Sequence, residues 1–176
     1  MPDTTETLLA KVVMVVCVYG CLRRCEGTYL EFKNLSANRA GTAFIVSGIQ
    51  RRKQVGPMRT STFAVTDQTS VDVIKRYIAC FAPADRTGRF FRKLTPVTTG
   101  AIGKGSKQVI GINVMGKMPC MIARQLGIPF EEARLFTGHA FRITGNKFYQ
   151  MNILGQLKFS FLISPVFTGV IYHYFI

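Results

Sequence analysis

Acidic residues are scarce in this 176-residue chain: nine Asp and Glu stand against 23 Lys and Arg, and none follows Glu132. The formal net charge is +14 and the isoelectric point near 10.0. A polyanion or an anionic surface is therefore the expected partner. Ribosomal proteins, nucleic-acid enzymes and membrane-surface proteins share these numbers, so charge alone does not choose among them. Metal-site spacing is missing as well. Cys17, Cys21 and Cys25 fall at i, i+4 and i+8, and no second Cys/His pair completes a zinc set. That spacing predicts a helical stripe of buried free thiols in a reducing compartment. A basic leader is absent too, because Asp3 and Glu6 precede the apolar run 8–18, which argues against a secretory signal. Repeats and low-complexity stretches are lacking, and 48% of residues are hydrophobic, which excludes intrinsic disorder. The length suits one domain with a real core.

What is present reads as a mixed α/β chain. Residues 5–19 predict a buried helix capped by Thr4 or Thr5 and stopped at Gly20, with a second helical piece opening at Arg23-Arg24-Cys25-Glu26. Two readings of the adjacent arginines stay open: a solvated helix end, or one of them turned inward toward an anion, with Glu26 three residues after Arg23 placed to steady it. Runs 29–35, 42–49 and 60–66 predict a three-stranded antiparallel meander, with turns at 38–41 and 54–57. The second turn carries Arg51, Arg52, Lys53 and Arg59, the densest basic cluster. Helices are expected at 70–81 with Ser70 as cap, at 111–126 with Pro119 near an early turn, and at 130–135. Between the first two lies a basic loop, 86–107. Its Gly103-Lys104-Gly105-Ser106-Lys107 lacks the spacing of a phosphate-binding loop and reads as a flexible turn. After Thr137-Gly138 a further helix would set His139 and Arg142 one turn apart, able to grip one small anion at a helix N-terminus.

In chain order these motifs are Gly20-x-x-Arg23-x-x-Glu26, Lys53 on a hairpin, and Arg89-Phe90-Phe91. Then come Gly111-Ile112-Asn113, Gly116-Lys117-Met118-Pro119 and Thr137-Gly138-His139-x-Phe141-Arg142. The set resembles the catalytic domain of the tyrosine recombinases (phage-integrase fold), in particular the eukaryotic, Crypton-like recombinase-domain proteins of animals. It covers about residues 8–145. The resemblance implies a mainly helical catalytic domain with a small antiparallel three-stranded sheet, over residues 1–147, followed by an apolar tail at 148–176. It also implies DNA recombination or integration on duplex DNA, as in a mobile element, with a homo-oligomer on the DNA and a nuclear location. Arg23 and Arg142 would clamp the scissile phosphate, Lys53 would protonate the leaving 5′-oxygen, and His139 would assist the nucleophile. Neither a metal nor any other cofactor is implied. Arg51, Arg52, Arg59, Lys104, Lys107 and Lys117 are the further candidates for DNA contacts.

The chain also departs from that family. No Gly-rich phrase with a second His or Trp follows Gly145, and no helical tyrosine phrase follows that. Tyr149 lies too close to Arg142. Tyr174 falls at about the right distance, within apolar surroundings, and is the candidate nucleophile. The domain therefore reads as C-terminally incomplete, with little or no strand exchange expected. Two other readings stay open. One is a DNA-binding remnant that cleaves nothing. The other is a small basic membrane-associated protein, suggested by the run 159–176, although Pro165, Gly169 and His173 interrupt it.

Overall fold

The computed structural model describes residues 4–50, 60–97 and 102–153. Helix α1, Thr5–Tyr19, is its axis. Thr4 caps it: the Thr7 N–H donates to Thr4 Oγ1 at 3.2 Å, and the Thr4 N–H donates back to Thr7 Oγ1 at 2.7 Å. Every residue from Thr7 to Tyr19 is buried, so the helix is covered on all sides rather than along one stripe. Helices α3 (Gln68–Ala79), α4 (Ile112–Gln125) and α6 (Ala140–Ile153) pack on it, together with strands β3 (Thr60–Val65) and β4 (Arg92–Thr95). It ends at Gly20 because β3 crosses there: a Cβ on Gly20 would sit 2.5 Å from the Phe63 ring. Cys21 then takes a left-handed φ of 47°, and the short helix α2, Arg24–Gly27, begins.

The fold is mixed α/β and mainly helical, with the expected antiparallel sheet in the order β1 (Leu35–Ala37), β2 (Phe44–Gln50), β3. Phe44, Val46, Phe63 and Val65 alternate toward the core. The pairing slips between Val46 and Ile49, where Gly48 has φ 73°. A bulge built on a left-handed glycine twists the strand just before the 51–59 connection. The basic turn with Arg51, Arg52, Lys53 and Arg59 lies outside the described residues, as do the turn 54–57 and Tyr174. Helix α6 runs on past residue 147 to Ile153.

Several expectations need correction. The loop 86–107 contains a second sheet, β4 paired antiparallel with β5 (Lys104–Val109). Gly105 is not part of a flexible turn; it lies in strand β5, the Phe81 ring takes the place its Cβ would occupy, and its N–H donates to Cys80 C=O at 2.7 Å. The run 29–35 does not form one strand. Asn34 offers its backbone neighbours a local alternative, accepting from the Glu31 N–H at 2.9 Å and donating to Ser47 C=O at 2.9 Å. A 3₁₀ turn at Phe32–Asn34 results. Asp67 rather than Ser70 caps α3, its carboxylate accepting from the Ser70 N–H at 2.9 Å. Pro119 sits in the interior of α4. The cysteine stripe is broken at Gly20. Cys17 is buried, and burial together with the Glu26 charge pushes its thiol well up, whereas Cys21 and Cys25 are half-buried beyond the helix.

No helix among the described residues is long and apolar enough to cross a membrane. Nor does any group of three His, Cys, Asp or Glu among them stand where it could hold a metal ion.

Candidate anion-binding corner

The site grows from the corner between α1 and α2. Arg23 is the residue that precedes α2, and its backbone N–H donates to Glu26 Oε2 at 2.8 Å. Its guanidinium stands 3.4 Å from Glu26 Oε1. The Glu26 side chain is fully buried while that of Arg23 is 31% exposed, so one end of the pair is fixed inside and the other opens to solvent. A carboxylate so placed orients the guanidinium without consuming all five of its donors.

The Thr-Gly-His segment meets this corner through glycines. A Cβ on Gly138 would lie 3.1 Å from Arg24 Cδ and 3.3 Å from Gly116 Cα. A Cβ on Gly116 would lie 3.2 Å from Arg24 Nη1. Two glycines from distant parts of the chain thus clasp the Arg24 stem, and close backbone approach is what a missing Cβ permits. Seven residues on, Gly145 fits against the Val18 carbonyl, and a Cβ there would come within 2.9 Å of Cys21 Sγ. The segment 138–145 is therefore pinned at both ends to residues 18–24. Between the pins stand His139, exposed in the turn before α6, and Arg142, half-buried in its first turn. The Thr137 hydroxyl accepts from the His139 N–H at 3.4 Å, and His139 C=O accepts from the Arg142 and Ile143 N–H groups at 3.1 and 3.2 Å. Among the described residues no carboxylate forms an ion pair with Arg142.

The segment that carries His139 and Arg142 thus packs on the segment that carries Arg23, although Arg23 and Arg142 are 119 residues apart in sequence (142 − 23). Lys117 follows Gly116 directly and is exposed on α4, next to the Arg24 clasp. Lys104 is not brought there. It follows Gly103, where a Cβ would meet Thr5 Cγ2 at 2.6 Å, so it sits at the start of α1. A helix of 15 residues puts that about 22 Å from the corner at 1.5 Å per residue. Lys107 is exposed on the same strand, β5. The residue that sequence reasoning misses is Arg24: the glycines of Gly116-Lys117 and Thr137-Gly138-His139 were its signal, since small residues in both phrases leave room for one shared long side chain.

Tyr149, the tyrosine carried by α6 within the described residues, is engaged elsewhere. Its hydroxyl donates to Tyr19 C=O at 2.7 Å, and burial, with Cys21 adding, pushes its pKa up. Compared with protein-family models and with curated protein sequences, the chain matches none.

Proposed function

We propose that the chain is a tyrosine-recombinase-like domain that binds duplex DNA and holds one backbone phosphate at the Arg23–His139–Arg142 corner. The reading is carried by one observation, the pinning of segment 138–145 onto residues 18–24 through Gly138 and Gly145. Such a junction has a physical use when an anion sits on it, because a phosphate can accept from both guanidiniums and the imidazole at once. In the family that the motifs resemble, such a clamp stabilises the charge that builds on the non-bridging oxygens as a tyrosine attacks. Lys53 is the proposed general acid and Tyr174 the proposed nucleophile. A nuclear location belongs to the same proposal.

A second reading, DNA binding without cleavage, draws support from Tyr149. A raised pKa and a hydroxyl committed to Tyr19 C=O are the wrong preparation for a nucleophile.

Duplex binding measured against salt tests the proposal. Each phosphate contact contributes about one unit to the slope of log K against log salt. Neutralising Arg51, Arg52 and Lys53 together is expected to lower that slope by about three units. Arg23→Ala and Arg142→Ala are each expected to weaken binding at low salt. Duplex affinity untouched by both would overturn the reading. A suicide duplex that traps covalent protein–DNA adducts then separates the two forms: adducts lost in Tyr174→Phe mean cleavage, and salt-sensitive binding without adducts means the non-cleaving form.

A further inference from the structure

A second concave surface lies beside the corner. Lys117, Met121 and Arg124 of α4 form one wall, with Phe130, Arg134 and Phe136 facing them across a groove of about 760 Å³. The α4 residues recur at i, i+4 and i+7, which places them on one helical face along two turns. The opposite wall is built by α5, Phe130–Ala133, and the segment after it. The floor and the rim differ in chemistry. Met121 and Phe136 contribute apolar surface inside, and Phe130 is 55% exposed at the edge. The rim holds three cations. The Arg124 guanidinium stacks 5.4 Å from the Phe130 ring centroid. Arg134 Nε is 2.7 Å from Glu131 Oε2, which leaves its terminal nitrogens outside that contact.

We infer that this groove docks an acidic amphipathic helix from another polypeptide, apolar side chains on its floor and carboxylates against Lys117, Arg124 and Arg134. Charge complementarity chooses this occupant. A phosphate backbone would use the rim cations but leave the apolar floor wet, whereas a helix with apolar anchors at i, i+3 or i+4 and i+7 uses both. The wall from Lys117 to Arg124 is about 10 Å long at 1.5 Å per residue, which suits a guest of two to three turns. Methionine in the floor lets the surface adjust to different anchors. The counter-charge does not come from this chain's own C-terminal part, because no acid follows Glu132. Gly116 and Thr137 line the end of the groove and also flank the Arg24 clasp, so an occupied groove lies next to the anion-binding corner.

Fluorescence anisotropy with the full chain tests this, using a labelled 14-residue Leu/Glu peptide patterned as a helix, a scrambled peptide of the same composition, and a Leu/Lys version. The patterned acidic peptide is expected to bind at least about tenfold more tightly than either control. Arg124→Gln with Arg134→Gln, and separately Met121→Asp, are each expected to lower its affinity about tenfold. The first pair alters exposed side chains only, so it remains readable if Met121→Asp disturbs the fold. Equal binding of patterned and scrambled peptides overturns the inference. So does a result in which the paired glutamines weaken duplex DNA as much as Arg142→Ala while peptide binding stays unchanged, since the groove is then a wall of the nucleic-acid surface.

Discussion

Arg92 and Arg23 each keep a guanidinium against the core, and the two are held by opposite means. Arg92 is 7% exposed, with its guanidinium 4.5 Å from the Phe81 ring centroid and 5.0 Å from that of Phe32. Its Nη2 donates to the Asp85 carbonyl, and its backbone N–H donates to the Tyr77 hydroxyl at 2.8 Å. That hydroxyl shares its own proton between the carbonyls of Phe90 and Arg92. Two aromatic rings and one carbonyl hold the buried guanidinium, whose Nε lies buried without a hydrogen-bond partner. Arg23 has a buried carboxylate behind it and solvent in front. Arg92 is fixed by a carbonyl and aromatic faces inside the fold; Arg23, steadied from behind by a carboxylate, keeps donors open to solvent. In this molecule, then, partner type and exposure say more about an arginine's role than burial of its neighbours.

The contrast can be broken by substitution. Arg92→Ala is expected to cost about 3 kcal/mol, from two lost cation–π contacts and the cavity left behind. Denaturant unfolding checks it, and duplex binding measured well below the transition should be unchanged. A binding loss as large as that of Arg142→Ala would collapse the distinction.

Tyr77→Phe is expected to cost about 2 kcal/mol, because the Arg92 N–H then has no acceptor in a buried place. It also has a pH signature. Burial raises the folded-state pKa of Tyr77 above the unfolded value of about 10. The stability linked to that proton is whole below pH about 10 and is lost as pH rises toward the folded-state value. Alkaline unfolding of Tyr77→Phe should therefore be shallower than that of the wild type, and an identical pH slope would remove Tyr77 from the account.

Glu26→Gln should lower stability by about 1 kcal/mol while weakening DNA binding several-fold, since the amide still accepts from the Arg23 N–H but loses the charge that aims its guanidinium. The smallest change in stability belongs to Arg142→Ala. Without anion its melting temperature should match or slightly exceed the wild type, because like charges are relieved; with sulfate or duplex DNA only the wild type should gain. An alanine variant that melts markedly lower without anion would make Arg142 another structural arginine, like Arg92.

Local signals made much of this readable. Thr4, the apolar run broken only by Lys11, and Gly20 delimit α1, and Thr137-Gly138 announces the turn before α6. The Arg23–Glu26 pair followed from spacing alone. Strand β5 was not readable, because Lys104 to Val109 is nearly all polar and only Val109 is strongly apolar. Its strand state comes from pairing with β4 and from Gly105 meeting Phe81, both distant in sequence. Arg24 escaped for the same reason. Its stem is gripped by two glycines that lie 92 and 114 residues further along (116 − 24 and 138 − 24).

A helix covered on every side has a consequence for synthesis. The ribosome makes α1 before α6, which covers one of its flanks and begins 121 residues after α1 ends (140 − 19). At 5–20 residues per second that interval is about 6–24 s. Throughout it, the flank of α1 that α6 covers has no partner yet translated, while β3, α3, β4 and α4 become available in turn. Slow codons or a stalled message before residue 140 would prolong the exposure, and a nascent-chain chaperone bound to residues 7–19 would shorten its danger.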